Sequence, residues 1–165
     1  MARAFQMTAS RGPGEQLTRV LRLGSNMLEK INHIGIVVHS LADSIPLYRD
    51  VLRLAFEGVE EVAGYQVKVA FFRIGVSRIE LLEPTASSGM VAEFLKSSGP
   101  GIHHVAYEVE DIEAAIEECE SHGIRMIDRT PRTGAHGARV AFVHPESCQS
   151  VVIELCQSEH QRGTS

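Results

Sequence analysis

Four residues have the types and the spacing to do chemistry together. His33 lies in the apolar run 31–38 and His104 in the run 102–109, 71 residues further on. Glu80 lies in the strand-like segment 77–82 and Glu154 in 151–156. The separation from histidine to glutamate is 47 residues in the first pair and 50 in the second. Successive side chains of a strand point to opposite faces, so Glu154 points away from Ile153 and Leu155. An ionised carboxylate on a buried face needs a partner, because desolvation alone costs several kcal/mol. Two imidazoles and two carboxylates brought together suit a divalent metal with nitrogen and oxygen ligands, leaving positions open for a substrate. Taken singly, a histidine early in a strand is usually a core or capping residue, and a glutamate in a strand usually faces water. Neither explanation accounts for histidine followed by glutamate twice at matched offsets.

The other candidates carry less. His103 neighbours His104 but falls on the opposite strand face, which gives it a structural role. His144 is expected in a turn before Pro145, and His39, His122 and His160 in exposed or loop positions. Cys119, Cys148 and Cys156 form an odd set without metal-type spacing, which favours a reducing compartment. The loop Gly134-Ala135-His136-Gly137 has two glycines bracketing a histidine. Such a loop turns tightly and brings backbone amides close to a ligand, so it is read as substrate-proximal.

The four positions are carried by an internal repeat. Segments 31–38 and 102–109 read as equivalent strands, each followed by a helix. Ser40 or Asp43 caps the first helix; with Asp43 as cap, Pro46 falls in the first turn, where no amide donor is needed. Asp111 caps the second, Ile112, Ala115, Ile116 and Cys119 recur on one face, and Gly123 ends it. Strands over 67–74 and 78–82, with a turn at Gly75, follow in the first unit. Strands over 124–128, 138–143 and 151–156 follow in the second, with a turn at 144–147. Residues 85–101 connect the units through a short helix capped by Ser88 and carrying Val91, Phe94 and Leu95. Each unit reads β-α-β-β-β, and one alone leaves an apolar face and open edges. The expected fold class is α+β: two paired βαβββ modules forming a curved, cleft-containing mixed sheet.

Composition sets the outer limits. The chain has 165 residues, a formal charge of −5, 44% hydrophobic and 22% charged residues, as in globular proteins generally. No run approaches the ~18–20 apolar residues of a membrane span. The acidic balance disfavours a nucleic-acid surface. Residues 1–26 hold four arginines against one glutamate, a local +3, which leaves −8 for the rest. They are expected to be a disordered extension, weakly compatible with organelle targeting, or to precede an effective start at Met27. Residues 27–157 are expected to form one domain: module one 31–84, connector 85–101 and module two 102–157. Residues 158–165 are expected to be a flexible tail.

The sequence resembles the vicinal oxygen chelate (glyoxalase-like) superfamily over residues 31–157. Within it, the methylmalonyl-CoA epimerase family is the most similar. The stretches that carry this are Asn32-His33-Ile34-Gly35-Ile36, Ile79-Glu80-Leu81-Leu82-Glu83-Pro84, Gly101-Ile102-His103-His104-Val105-Ala106, Gly134-Ala135-His136-Gly137, and Phe142-Val143-His144-Pro145 with Val152-Ile153-Glu154-Leu155. The resemblance implies an isomerase that interconverts the (R) and (S) epimers of methylmalonyl-CoA by removing and returning an α proton. It implies a divalent metal, Co²⁺ first and Mn²⁺, Ni²⁺, Zn²⁺ or Mg²⁺ as alternatives, on His33, Glu80, His104 and Glu154. It implies Glu154 as one acid/base, with Glu80 as a further catalytic candidate, and a homodimer acting on a CoA thioester in propionate metabolism. The location would be cytoplasmic in a bacterium and the mitochondrial matrix in a eukaryote. One departure stands out: Val69 falls where some members carry a glutamate. The second acid/base is therefore open between Glu80, a metal-bound water and Lys68 through a register shift. The competing readings on the same scaffold are a glyoxalase-type lactoylglutathione lyase, a ring-cleaving dioxygenase and a non-enzymatic small-molecule-binding dimer.

Overall fold

The computed structural model describes residues 26–159. The N-terminal extension as far as residue 25 and the last six residues of the tail lie outside the described residues. The first module comprises β1 (Lys30–Val37), α1 (Leu41–Pro46), β2 (Ala55–Val62), β3 (Val67–Ile74) and β4 (Ser77–Pro84). α2 (Met90–Ser98) connects it to β5 (Gly101–Glu108), α3 (Ile112–Ser121), β6 (Arg132–Thr133), β7 (Arg139–Val143) and β8 (Val152–Gln157). Among the described residues no helix is long and apolar enough to cross a membrane.

All eight strands join one mixed sheet in the order β2-β3-β4-β1-β5-β8-β7-β6. The order is symmetric about its centre. In each module the first strand runs parallel to the last, β1 with β4 and β5 with β8. The two first strands meet antiparallel and fuse the modules. The sheet curls until its outer parts touch: Arg132 donates to the Gly64 carbonyl at 2.8 Å, and the His136 amide donates to Glu60 at 3.1 Å.

Alternation along each strand separates two cores. On the convex face α3 packs Ile112, Ala115 and Ile116 against Val109, Ala141, Val143 and Leu155. α1 closes the matching surface of module one over Ala70, Phe72 and Leu81. The concave face carries Val37, Val67, Val69, Phe71 and Leu82, with α2 laid across one end through Val91 and Phe94. The α3 cap is the expected one: the Asp111 carboxylate accepts the Ala114 amide at 3.0 Å.

Several local expectations change. Ser40, not Asp43, caps α1, its hydroxyl accepting the Asp43 amide at 3.2 Å. Pro46 therefore lies at the end of the helix, which widens over Leu47–Val51 into a turn closed by Leu52 N–H to Leu47 C=O. A proline has no amide to continue the regular ladder. Ser88 does not cap α2; it bonds Gln66 instead, and Gly89 begins the helix. β2 is a strand that the pattern did not reveal. It is an edge strand with Gly58 at a register shift, so clean alternation is lost. Segment 124–128 is not a strand: Met126 alone bridges Val143, while the Asp128 carboxylate accepts the Phe142 amide.

Two bulges matter most for the site. The β1–β5 pairing passes from Ile31 to His33 and from Gly35 to Ile36, leaving Asn32 on β1 and His103 on β5 as extra residues. A bulge lets consecutive side chains share a face. Asn32 with His33, and His103 with His104, accordingly all line the concave cavity. The expectation that His103 points to the opposite face assumed an unbroken pleat.

Candidate active site

The concave face encloses a cavity of about 680 Å³, within the usual span for small-molecule sites, about 300–1,000 Å³. Its floor is the module junction. His33 Nε2 and His104 Nε2 stand 3.1 Å apart, their rings edge to face. Glu154 reaches both, Oε1 at 3.8 Å from His33 Nε2 and Oε2 at 3.4 Å from His104 Nε2. Glu80 comes to the other edge of the first ring, 3.5 Å from His33 Nδ1. All four are buried.

The sheet register explains why these side chains meet. His33 pairs with Ala106, which pairs with Glu154. His104 pairs with Gly35, which pairs with Glu80. In each row a small residue separates an imidazole from a carboxylate. At Gly35 the space is fully used, since a Cβ there would lie 2.6 Å from His104 Nε2.

The residue before each histidine buttresses it. Asn32 Oδ1 lies 2.8 Å from His33 Nδ1. Asn32 in turn donates its amide to Glu108, which also accepts the Ser158 amide and hydroxyl. That fixes the amide oxygen toward His33, which must donate from Nδ1 and present a lone pair at Nε2. His103 Nδ1 lies 2.8 Å from His104 Nδ1. When His104 donates there, its Nε2 presents a second lone pair to the same point. Two facing lone pairs and a carboxylate form a donor set that a cation completes.

Electrostatics agrees. Burial lowers His33 to about 3, reinforced by Arg78, and lowers His104 well below the imidazole range. Both rings are neutral and free to ligate. Burial raises Glu80 to about 8 and also raises Glu154 well above the carboxylate range, with the Glu80 charge adding to it. The histidine–glutamate contacts are therefore not ion pairs in the bare chain, and a dication would favour the ionised carboxylates. Cys156, two residues beyond Glu154 on the same strand face, brings its sulfur within 4.8 Å of the His33 and Glu154 donor atoms. Burial raises its thiol, which holds it neutral.

The predicted site residues thus converge, with Glu80 at the far ring edge. Gly134, Ala135 and His136 line the cavity, the His136 ring tilted against Phe71 at 4.3 Å and its Nδ1 3.2 Å from Glu60; Gly137, expected with them, faces the neighbouring recess beside Glu159 instead. Lys68 points away: β3 and β4 pair without a register shift and Lys68 is exposed. Sequence reasoning missed Asn32, His103, Glu108, Cys156, Glu60 and Tyr65. Asn32 and His103 had a signal, since the 71-residue repeat places one on the other. Tyr65 had none: its hydroxyl is buried in the cavity wall with no hydrogen-bond partner.

Comparison with known proteins gives the family. Residues 32–142 match the glyoxalase/bleomycin resistance protein/dioxygenase superfamily. The mitochondrial methylmalonyl-CoA epimerase of Mus musculus is 36% identical over 132 residues, 79% of this chain and 74% of that protein. The ethylmalonyl-CoA/methylmalonyl-CoA epimerase of Cereibacter sphaeroides is 35% identical over 133 residues, 79% of this chain and 99% of that protein. A solved methylmalonyl-CoA epimerase in complex with methylmalonyl-CoA and NH4+ superposes with a TM-score of 0.79 at 31% identity, covering 83% of this chain and 99% of its own. The chain belongs to the glyoxalase/bleomycin resistance protein/dioxygenase superfamily and, within it, to the methylmalonyl-CoA epimerase family.

Proposed function

We propose that this chain is a metal-dependent epimerase interconverting (R)- and (S)-methylmalonyl-CoA through α-proton abstraction and reprotonation. One observation carries the reading: the imidazole lone pairs of His33 and His104, 3.1 Å apart and closed by Glu154, at the floor of the cavity. His33, His104 and Glu154 would hold the ion, and Glu80, which stands at the Nδ1 edge of His33, would complete the set by turning toward Nε2. Co²⁺ is the expected ion, and Mn²⁺, Ni²⁺, Zn²⁺ or Mg²⁺ the alternatives. When bound, the ion supplies Lewis-acid polarisation of the substrate's thioester and carboxylate oxygens.

The chain's own residues do the rest. Glu154 takes the α proton on one face, its carboxylate standing at the cavity floor beside both imidazoles. The orphaned Tyr65 hydroxyl donates to a substrate oxygen. Val69, Leu82, Val140 and Phe142 line the walls and limit water around the reacting carbon. Gly134, Ala135 and His136 contribute to the cavity wall on the loop side. The protein works as a homodimer in propionate metabolism, in the cytoplasm of a bacterium or the mitochondrial matrix of a eukaryote.

The test is incubation of one pure epimer with cobalt-loaded protein in heavy water. Deuterium entry at the α carbon with loss of optical purity is expected. An unlabelled, optically pure substrate would sink the reading and return a glyoxalase-type lyase or a binding dimer to first place. Full activity in metal-free protein would remove the metal from it.

A further inference from the structure

Inversion at a carbon needs a proton to leave one face and another to arrive at the opposite face, so one positioned group is not enough. Glu154 stands on β8, on the module-two side of the floor. The other side is formed by β3 and β4, where Val69, Phe71 and Leu82 offer no proton. Glu80 on β4 belongs to the floor, beside His33. Glu57 is tied by Arg73 and Arg78. The Tyr65 hydroxyl on this side is assigned to a substrate oxygen, and an imidazole is delivered to the wall from outside the module. His136, in the turn Ala135–Gly137 between β6 and β7, crosses from module two and sets its ring against Phe71, centroids 4.3 Å apart and planes at 44°.

His136 is held by a second group. Glu60 Oε2 lies 3.2 Å from His136 Nδ1 and 3.1 Å from the His136 backbone nitrogen, whose amide it accepts. A carboxylate on Nδ1 fixes the ring and leaves Nε2 as its free edge, in a residue that lines the cavity. Glu60 is on β2 and pairs in register with Val69, so both face the same way. The backbone supports deliberate placement too: His136 has φ +52°, a left-handed conformation that a non-glycine residue adopts only under constraint.

We infer that His136, oriented by Glu60, is the acid/base on the face opposite Glu154. This rests on the epimerase reading. In one direction Glu154 takes the α proton, the C–H electron pair passes into the enolate, and the His136 imidazolium N–H gives its proton to the opposite face of the carbon. The cycle leaves Glu154 protonated and His136 neutral, the state that runs the reverse epimer; solvent exchange resets it. Glu60 is a positioning residue, acting through His136.

The experiment uses His136→Gly, because glycine accepts the left-handed backbone, and follows inversion of each pure epimer in the metal-loaded protein. Inversion is expected to fall about 100-fold or more, with KM and metal content near wild type. Imidazole in solution should restore at least a tenfold part of the loss, the ring site being half exposed and open to the cavity. Glu60→Gln is expected to lower kcat about tenfold with KM unchanged, and Glu60→Asp to recover part of it. Wild-type inversion in His136→Gly, a loss that imidazole does not restore, or a parallel loss of metal and substrate affinity would each overturn the assignment. If wild-type protein inverts but His136→Gly does too, only this assignment falls. If wild type inverts neither epimer, the epimerase reading falls and takes it along.

Discussion

Glu80 pairs in register with Gly35 in the first module, and Glu154 with Ala106 at the equivalent place in the second. The duplication is faithful at the backbone, yet the two halves differ in chemistry. Across Ala106 the Glu154 carboxylate reaches His33 and sits between both Nε2 atoms. Across Gly35 the His104 ring occupies the space that a Cβ would fill, and Glu80 meets His33 at Nδ1 instead. One methyl group therefore accompanies the break in symmetry. Module two adds the loop bearing His136, which reaches back to β2 and β3 of module one. A repeat thus supplies a symmetric frame, and small differences within it set the two carboxylates apart and bring the other module's loop to the opposite wall.

Experiments that break this comparison begin at the floor. His104→Ala should remove bound metal, read by elemental analysis, and lower epimerisation about a thousandfold or more while the fold persists. Next comes the test of inequality between the carboxylates. Glu154→Gln should reduce α-proton exchange about 10²–10⁴-fold, whereas Glu80→Gln should cost only about tenfold, through weaker metal binding. Equal effects would restore the symmetry that the geometry lacks. Gly35→Ala should weaken metal affinity about 10–100-fold by displacing the His104 ring, while Ala106→Gly changes it little; competition with a fluorescent chelator measures both.

The pH dependence of stability sharpens the same point. Without metal, Glu80 titrates near 8 in the fold against 4.5 in its reference state. The folded state then binds more protons than the unfolded chain, so stability falls as pH rises from about 4.5 to about 8. His33 acts in the opposite sense: its value near 3 against 6.5 makes stability rise with pH between about 3 and 6.5. Between about 4.5 and 6.5 the two oppose each other, His103 and His104 acting with His33 and Glu154 with Glu80; above about 6.5 only the carboxylates act, and stability declines up to about 8. Thermal melts should show that decline in metal-free protein and its disappearance on adding Co²⁺. The smallest effect is expected at Tyr65. Tyr65→Phe should leave Tm unchanged or slightly raised, since it removes an unsatisfied buried hydroxyl worth roughly 1 kcal/mol, and should raise KM a few-fold.

How much was legible in the chain itself follows from the physics of each feature. Strand and helix identity in both modules could be read from local periodicity and capping: Asp111, Gly123 and the apolar face of α3 all act as their residue types demand. β2 could not, because an edge strand interrupted at Gly58 has no single buried face to impose alternation. Segment 124–128 deceived for the converse reason, its apolar residues packing beside β7 without joining a ladder. The four residues of the floor could be named from the repeat, since two copies of one pattern report a shared constraint.

Orientation was another matter. Whether His103 faces the cavity depends on a bulge, and a bulge is a property of how two strands pair, not of either strand alone. The same holds for Glu60 and His136, 76 residues apart, which meet only because the curled sheet brings its outer edges together. By itself the sequence determined the duplicated module, the pairing of imidazole with carboxylate and the class of ion they suit, because these follow from residue type and spacing. Only the tertiary structure decided which side chains share a face, which tautomers the neighbours impose and which module closes the opposite wall. Those depend on register and curvature, which arise when the two copies pack against each other.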